Sequence, residues 1–443
     1  MTMTSSNNSR NTCSILIVAL LTVLCSTPLC AQSAFDHIVR NRFFSASNYC
    51  IYPDSVPSRM TTPPAGKYPF YISHYGRHGS RYLINRKGYD IPYRMLCRAD
   101  SMGELTATGR QVKEELAGII SDSEGRWGDL SGIGKQQQRN IARRMVERFP
   151  EVFRDNAHIE ARSTTVNRCV LSMGTFLQQL AAICPKVDIT MDAMKNDMYY
   201  MNHQDRLLRD NMKDEAALQA YHDFSSRREH NPALMRALFV HPDSVASVVD
   251  EVQLNYYILK SALIQQNTHM GERCRLLEHF ALEDIHRFWQ KENAWWYIMY
   301  GPSPLNGGNQ PYSQRHLLRR IISDADSCIS LSQPGAMLRF GHETVLLPLV
   351  CLMGVNGFDQ RLDDLEDLEE YGWWACRVFP MASNIQLVFY RSDPKDKNVL
   401  VKVLLNEQEA TLPLKSDHAP YYRWKDFRKY FLKKLDDYDA ARR

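Results

Sequence analysis

The feature that most constrains this chain is an apolar, aromatic run, residues 67–75, followed by Arg77-His78-Gly79-Ser80-Arg81. Such a run predicts a β-strand, and Gly76 and Gly79 suit a sharp turn directly after it. Ligands of open α/β sheets bind at the carboxyl ends of strands. The sequence therefore predicts that His78 is presented at a ligand-binding edge.

The residues on either side of His78 suit phosphate chemistry. Fixed positive charge disfavours the imidazolium, so a histidine between Arg77 and Arg81 is expected to be neutral and nucleophilic. The same guanidinium groups can hold a phosphate dianion beside the ring. We interpret this stretch, the 77–81 motif, as a nucleophile site for phosphoryl transfer.

The remaining pattern alternates between strand and helix. Extended character returns at residues 158–162, 336–340, 384–390 and 399–405, and helices are expected near 130–149 and 168–183. Residues 186–333 show mainly helical periodicity. These observations predict an α/β fold with a mostly parallel sheet flanked by helices. The phosphatase domain would comprise residues 32–185 and 334–443, with a helical cap inserted at 186–333.

The amino terminus resembles a secretory signal peptide. Arg10 precedes an apolar run at residues 15–24, and small residues follow up to Ala31. We expect cleavage near Ala31 and a secreted or periplasmic protein. Lipid attachment at Cys25 or Cys30 is a less favoured alternative, because leucine precedes each of them. No later segment is apolar enough to predict a membrane span.

Charge and cysteine content narrow the partners. The net charge of +4 over 443 residues is small and gives no reason to expect nucleic-acid binding. Removal of the signal peptide leaves eight of the eleven cysteines, so disulfides and free thiols both remain open. No Cys-x-x-Cys pair occurs, and we expect no metal and no cofactor.

Three separated pieces carry unusual side chains at the ends of predicted strands: the 77–81 motif, Arg162, and the pair His342 and Glu343. A phosphomonoester needs a nucleophile, donors for its oxygens and an acid for the leaving group. We predict His78 as the nucleophile that forms a phosphohistidine and Glu343 as the proton donor. Arg77, Arg81, Arg162 and His342 are predicted to bind the phosphate.

These residues resemble the histidine phosphatase superfamily, in its histidine acid phosphatase and phytase branch. The 77–81 motif is similar to the branch's Arg-His-Gly-x-Arg, and Leu130-Ser131-x-x-Gly134-x-x-Gln137 to its Leu-Thr-x-x-Gly-x-x-Gln. Arg162-Ser163-Thr164 resembles the segment of the third phosphate arginine. Phe340-Gly341-His342-Glu343 resembles the second histidine with its acid.

Within the branch, Leu347-Pro348-Leu349 and residues 401–407 are most similar to multiple inositol polyphosphate phosphatases. Those proteins usually carry His-Ala-Glu, whereas here Glu343 follows His342 directly and Thr344 stands at the position of their glutamate. This spacing is that of the His-Asp phytases and acid phosphatases, with the aspartate lengthened to glutamate.

Other motifs give weaker signals. His342-Glu343 does not continue as a zinc motif, because position 346 is leucine, and Gly134-Lys135 lacks the other residues of a nucleotide-binding loop. The pairs Trp295-Trp296 and Trp373-Trp374 are expected to pack in the core or cap. Arg86 and Lys87 are possible substrate contacts, although each alone is better explained as surface charge.

The sequence thus predicts a secreted, metal-independent phosphomonoesterase that acts on inositol polyphosphates, with an acidic optimum because Glu343 must be protonated. Two alternatives stay open. One is a broad-specificity acid or sugar-phosphate phosphatase of the same family, and the other is a non-catalytic phosphate-ester binding protein. A mutase is less attractive for an exported chain.

Overall fold

The computed structural model describes residue 1 and residues 33–57, 59–202, 205–212 and 214–442. Its centre is an eight-stranded mixed sheet. The strands are β1 (Tyr68–Arg77), β2 (His158–Ser163), β3 (Asp188–Asp192), β4 (Gly335–Gly341), β5 (Asn384–Arg391), β6 (Leu400–Leu405), β7 (Gln408–Glu409) and β8 (Tyr421–Arg423).

The helices before the middle of the chain are α1 (Ala34–Arg40), α2 (Lys87–Ser101), α3 (Ala107–Ser123), α4 (Gly132–Arg148), α5 (Asn167–Ile183), α6 (Met198–Met201) and α7 (Arg206–Asn211). They are followed by α8 (Glu215–Ser226), α9 (Pro232–Leu238), α10 (Glu251–Ile264), α11 (Leu282–Tyr300), α12 (Arg315–Cys328), α13 (Glu343–Met353) and α14 (Trp424–Ala440). A 3₁₀ helix at Arg42–Tyr49 precedes the sheet.

The strand order is β3-β2-β4-β1-β5-β6-β7, and β8 also pairs with β6. The first four strands in this order run parallel to one another, whereas β5 to β8 add antiparallel pairs. The α/β fold predicted from the sequence is confirmed. The parallel half of the sheet holds the predicted site strands.

The register of the parallel strands brings distant residues to one edge. Arg77 of β1 pairs with Gly341 of β4, and Ser163 of β2 pairs with Phe340 of β4. The chain therefore leaves all three strands at the same level. The residues that follow, His78, Thr164 and His342, lie side by side at the carboxyl edge of the sheet.

Three apolar cores hold the layers together. One face of the sheet packs on α4 and α5, and the other packs on α6, α8, the second half of α11, and α12 to α14. A third core joins α1 to α3, α9, α10 and the first half of α11 without any strand. The helices between residues 186 and 333 thus divide between two cores. The cap boundaries at 186 and 333 stay a prediction.

Several sequence expectations concern single segments. The signal peptide at residues 1–31 lies outside the described residues, apart from Met1. In the ranges given above, no helix combines the length and apolar character that a membrane crossing requires. The eight cysteines beyond residue 31 are free thiols. Trp296, Trp373 and Trp374 are buried, and Trp295 packs half-buried beside them.

Candidate active site

The 77–81 motif is held by the first turns of α4. The Ser131 hydroxyl accepts a hydrogen bond from the Gly134 amide at 3.1 Å and so caps this helix, while it donates to the Ser80 carbonyl at 3.1 Å. Gln137 accepts from the Ser80 amide at 2.9 Å, and Gln138 donates to the Arg77 carbonyl at 3.1 Å. The segment from Leu130 to Gln137 is therefore a support for the motif.

Two glycines make this support possible. A Cβ atom on Gly79 would collide with the Gly134 backbone, and a Cβ on Gly134 would collide with the Ser80 backbone. Helix and motif can approach this closely only because neither position carries a side chain. The close approach explains why the sequence pattern requires glycine at both positions.

His78 is buried and oriented by its own neighbour. Its Nδ1 lies 2.9 Å from the carbonyl oxygen of Gly79, which can only accept, so the neutral ring carries its proton on Nδ1. Burial and the Arg77 charge hold the pKa of His78 well below its usual value. The remaining nitrogen, Nε2, is buried without a hydrogen-bond partner. It offers a lone pair for attack.

Glu343 is the first residue of α13, and its carboxylate faces the same cluster. Oε1 lies 2.9 Å from Nη2 of Arg77 and accepts from the Asn48 amide at 3.1 Å, and Oε2 lies 3.8 Å from Nε2 of His78. Burial would raise the pKa of Glu343, but the charges of Arg77 and Arg81 outweigh it and hold the pKa well below its ordinary value. The carboxyl group is ionised here.

Arg77 is fully buried, and two carbonyl groups fix it. Its Nη1 donates to the carbonyl oxygens of Asn48 at 2.7 Å and Phe379 at 2.6 Å. Burial lowers the pKa of Arg77 to about 10 although Glu343 opposes the shift. The guanidinium is therefore still charged at neutral pH.

Arg81 and His342 complete the predicted cluster. Nη2 of Arg81 lies 4.0 Å from Oε1 of Glu343, and the rings of His78 and His342 have their centroids 5.7 Å apart. Thr164 lies 3.3 Å from Nε2 of His342. Burial lowers the pKa of His342 to about 4, against the opposing effect of Glu343. This histidine is neutral above that pH.

Arg162 does not join the cluster. Its guanidinium donates to Glu160 at 2.8 Å and to Asp197 at 2.7 Å, and although burial opposes the shift, these two carboxylates raise the pKa of Arg162. Arg162 stays away from the cluster because β2 continues to Ser163, so that Arg162 lies inside the strand, opposite Arg339. The sequence predicted that Arg162 lies at the edge of the sheet. A different arginine lies there in the structure.

That arginine is Arg168, at the start of α5. Burial and the Arg81 charge lower its pKa, and its own charge acts on both His78 and His342. Its Nε is buried without a hydrogen-bond partner, as are the Nε atoms of Arg77 and Arg81. The charges of three guanidinium groups thus act on both histidines. A bound anion is the ligand that such a cluster favours.

Arg86 and Lys87 differ in their surroundings. Arg86 donates to Asp90 at 2.7 Å, lies 3.8 Å from Glu124, and packs over the Trp127 ring. Lys87 begins α2 and is exposed. Arg86 is therefore paired with two carboxylates. A contact of Arg86 or Lys87 with substrate stays a prediction.

His78, His342 and Glu343 offer ligand atoms within 4.8 Å of one another, close enough to suit a metal ion. Arg77, Arg81 and Arg168 place three positive charges around the same point. Repulsion from these charges opposes a bound cation. The electrostatics therefore suit a phosphate better than a metal.

A cavity of about 470 Å³ adjoins the cluster on the Glu343 side. Asn48, which donates to Glu343, and Tyr49, whose ring lies 5.5 Å from the Arg81 guanidinium carbon, form its inner wall. The other lining residues are Tyr221, Glu229, Val252, Gln253, Tyr256, Tyr257, Lys260, Lys291, Glu292, Trp295 and Trp296. The cavity is thus the space into which the alcohol part of a phosphate ester would extend if its phosphate were bound beside Glu343.

Asn48 and Arg168 were missed by sequence reasoning. A helix start directly after a predicted strand was a usable signal for Arg168, because the amino end of such a helix points at the sheet edge. Asn48 carries no comparable signal. It lies in a 3₁₀ helix far from the other motifs in sequence.

Comparison with known proteins assigns this geometry to a family. The sequence profile of the histidine phosphatase superfamily (branch 2) matches residues 76–406, which is most of the chain. The chain belongs to this superfamily. The family predicted from the sequence motifs is therefore confirmed for this histidine phosphatase.

Curated relatives of this histidine phosphatase carry one name. Human multiple inositol polyphosphate phosphatase 1 is 23% identical over 386 residues, which cover 78% of this chain and 76% of the human protein. The chicken protein of the same name is 22% identical over 66% of this chain and 68% of its own length. The predicted phosphoric monoester hydrolase class is the class of these relatives.

Solved structures share the fold of this histidine phosphatase. Multiple inositol polyphosphate phosphatase from Bifidobacterium longum, in complex with inositol hexasulfate, superposes with a TM-score of 0.74 at 17% identity over 87% of this chain and 97% of its own. The phytase from D. castellii gives a TM-score of 0.66 at 13% identity over 89% and 85% of the two chains. Identities this low establish the fold alone.

Proposed function

We propose that this histidine phosphatase hydrolyses phosphate monoesters of inositol polyphosphates through a phosphohistidine on His78. The observation that carries the proposal is the environment of Nε2 of His78. This atom holds the lone pair of a neutral ring, has no hydrogen-bond partner, and lies 3.8 Å from the Glu343 carboxylate. Three arginines surround it. The inositol polyphosphate class rests on the names of the relatives.

In the first step Nε2 attacks phosphorus and the bond to the ester oxygen breaks. Arg77, Arg81 and Arg168 stabilise the oxygens of the transferring phosphoryl group, with His342 as a further partner. We assign Arg168 the part that sequence reasoning gave to Arg162. Preorganised charges of this kind act in the transition state and need no rearrangement.

Glu343 delivers the proton that the leaving alkoxide needs. The free enzyme holds this carboxyl group ionised, so the proton enters with the substrate, since a phosphate monoester has its second pKa near about 6. An added phosphate charge also raises the pKa of Glu343. In the second step the same carboxylate accepts a proton from the water that attacks the phosphohistidine, which releases phosphate.

Trapping of the intermediate tests this mechanism. The enzyme is mixed with a ³²P-labelled ester, quenched in alkali, and digested to locate the label. We expect label on His78 in the wild type and neither label nor phosphate release in His78→Ala. His158→Ala, which changes an exposed histidine paired with Asp188, is the control and should retain both. Full phosphate release by His78→Ala would refute the mechanism.

A sugar-phosphate or weakly phosphorylated ring is the second candidate substrate, and the charge of the cavity favours it. Lys291 pairs with Glu229 at 2.8 Å, and Lys260 acts on Glu292, although burial raises the pKa of that glutamate. Each further phosphate of a substrate would need unpaired cations. The described residues that line the cavity include two lysines and two glutamates. Its tyrosines and Trp295 suit the apolar and hydroxyl groups of a polyol.

Rates on inositol hexakisphosphate, glucose 1-phosphate and p-nitrophenyl phosphate separate the two substrates. A higher kcat/KM on the hexakisphosphate supports the first candidate, and a higher value on glucose 1-phosphate supports the second. Glu229→Gln frees Lys291, so it should raise kcat/KM on the hexakisphosphate by about tenfold. The value for p-nitrophenyl phosphate, which has no further phosphate, should stay unchanged.

A non-catalytic binding protein is the alternative of another class. Such a protein would need the arginines but no carboxylate beside the histidine. Tight retention of a phosphate ester without turnover from pH 4 to 8 would support it.

We also propose that the protein is exported and that cleavage near Ala31 creates its mature amino terminus. The apolar run at residues 15–24 supports this proposal. Amino-terminal sequencing of protein from the cell envelope and the medium tests it, and an uncleaved cytoplasmic chain would contradict it.

A further inference from the structure

Two thiols of this chain interact next to the site. Cys50 directly follows the 3₁₀ helix at Arg42–Tyr49, and Cys376 lies in a second 3₁₀ helix at Ala375–Arg377. Both residues belong to the same apolar core, and each thiol shifts the pKa of the other, while the Cys50 thiol also donates to the Phe44 carbonyl at 3.4 Å. The two segments are also joined through the backbone, because the Met381 amide donates to the Cys50 carbonyl at 2.8 Å. The residues are thus neighbours in space although distant in sequence.

These two segments also hold Arg77. The carbonyl of Asn48, two residues before Cys50, and the carbonyl of Phe379, three residues after Cys376, both accept from Nη1 of Arg77. A covalent bond between the two cysteines would therefore tie together the two carbonyl groups that position this arginine.

The two thiols differ in reactivity. The interaction with Cys50, a hydrogen bond from the Trp289 indole and the Arg377 charge lower the pKa of Cys376, although burial opposes them. The interaction with Cys376 and burial raise the pKa of Cys50. A pair with one thiolate-forming member is suited to disulfide exchange, because the thiolate is the attacking species.

Other cysteines have different partners. Cys97 bonds to Tyr93, Cys328 bonds to Tyr71, and Cys169 donates to the Gly341 carbonyl. Among the cysteines that the structure describes, an interaction between two thiols is found for Cys50 and Cys376.

We propose that Cys50 and Cys376 form a reversible disulfide that locks the Asn48 and Phe379 carbonyls around Arg77. The Cys376 thiolate attacks a small-molecule disulfide such as oxidised glutathione and expels one thiolate. Cys50 then attacks the mixed disulfide at the Cys376 sulfur, which expels the second thiolate. Both leaving thiolates take up protons, so two protein thiols and one small disulfide give one protein disulfide and two small thiols. The disulfide requires the two sulfurs to approach to about 2.05 Å, which the packing of both residues in one apolar core favours.

Peptide mapping of the mature protein after incubation with oxidised glutathione tests the pairing. We expect a linked peptide that contains Cys50 and Cys376, which dithiothreitol separates, and a melting temperature several degrees higher than that of the reduced protein. Cys376→Ser and Cys50→Ser should each lose the rise, whereas the control Cys97→Ser should retain it.

Free thiols at both positions after this treatment would overturn the proposal, as would glutathione retained on Cys376 without linkage to Cys50. Because mapping is done on the wild-type chain and needs no activity, its outcome is independent of the proposed reaction. The same melting temperature in the linked and reduced forms would overturn the locking role.

Discussion

Arg77 and Glu343 face each other across the site, with Nη2 of the arginine 2.9 Å from Oε1 of the glutamate. This ion pair holds the pKa of the proposed proton donor low before substrate binds. A phosphate that enters between the two must compete with the carboxylate for the guanidinium. The pair therefore links phosphate binding to the protonation of Glu343.

Glu343→Gln should affect substrates according to their leaving groups. Glutamine keeps the size of the side chain but cannot donate a proton to an alkoxide. We expect kcat on glucose 1-phosphate to fall by about 10²- to 10⁴-fold. Release of nitrophenol in the first turnover should fall much less, because nitrophenolate leaves without a proton, whereas steady-state phosphate release on both substrates also loses the base of the second step. Equal losses in first-turnover release of glucose and of nitrophenol, measured by rapid quench, would argue against a proton-donor role.

Arg168→Ala and Arg162→Ala form a matched pair. Arg168 lies at the cluster, so its loss should lower kcat/KM by about 100- to 1,000-fold. Arg162 pairs with Glu160 and Asp197, so its loss should lower the melting temperature while kcat/KM stays within a few-fold of the wild type. The opposite pattern would return the phosphate-binding role to Arg162.

The activity should have an acidic optimum with an upper limit set by the substrate. Above about pH 6 a phosphate ester loses its second proton, and Glu343 in the free enzyme has none to give. We expect kcat/KM on glucose 1-phosphate to decline above that pH. A flat profile from pH 5 to 8 would contradict this source of the proton.

The free energy of unfolding should decrease as the pH is lowered, because the buried histidines are neutral in the folded protein. The folded-state pKa of His342 is about 4, below the value of about 6.5 for an exposed histidine, so between these two the unfolded chain binds more protons. Unfolding is therefore favoured as the pH decreases from 6.5 to 4. Thermal melts of His342→Asn should show a weaker pH dependence in this window. An unchanged slope would mean that His342 does not contribute.

Gly134→Ala should disturb the site through the support helix. A methyl group there meets the Ser80 backbone, which cannot move without shifting the 77–81 motif. We expect a cost of about 1 to 3 kcal/mol in the free energy of unfolding, together with loss of activity. Gly132→Ala is the control, since no atom lies within 4 Å of its added carbon. Chemical denaturation and phosphate release measure the two effects, and similar results for both variants would contradict the packing argument.

The sequence was sufficient for five of the eight strands and for the positions whose motif is local, whereas β3, β7 and β8 were not expected. The 77–81 motif and His342-Glu343 follow buried parallel strands directly, so strand prediction was enough to bring them to one edge. Arg162 and Arg168 show the limit. Only the register, in which β2 extends to Ser163, decides that Arg162 stays within the sheet and Arg168 reaches the cluster.

Tertiary contacts explain the rest. Asn48 contacts Arg77, which is 29 residues away in sequence, and Glu343, which is 295 residues away, and no local pattern encodes these contacts. The ion pair in the cavity is of the same kind, because Glu229 lies in the turn after α8 and Lys291 lies in α11.

The contacts of Asn48 also bear on the minimal fragment of this chain that is expected to be active. The family match begins at residue 76, yet Asn48 and Tyr49 already contact the arginines of the cluster. A protein trimmed to the matched region would have every motif residue, but Arg77 would lack one of its two carbonyl partners and Glu343 its amide donor. The residues that hold Arg77 and Glu343 thus begin upstream of the matched region, close to the expected signal cleavage point.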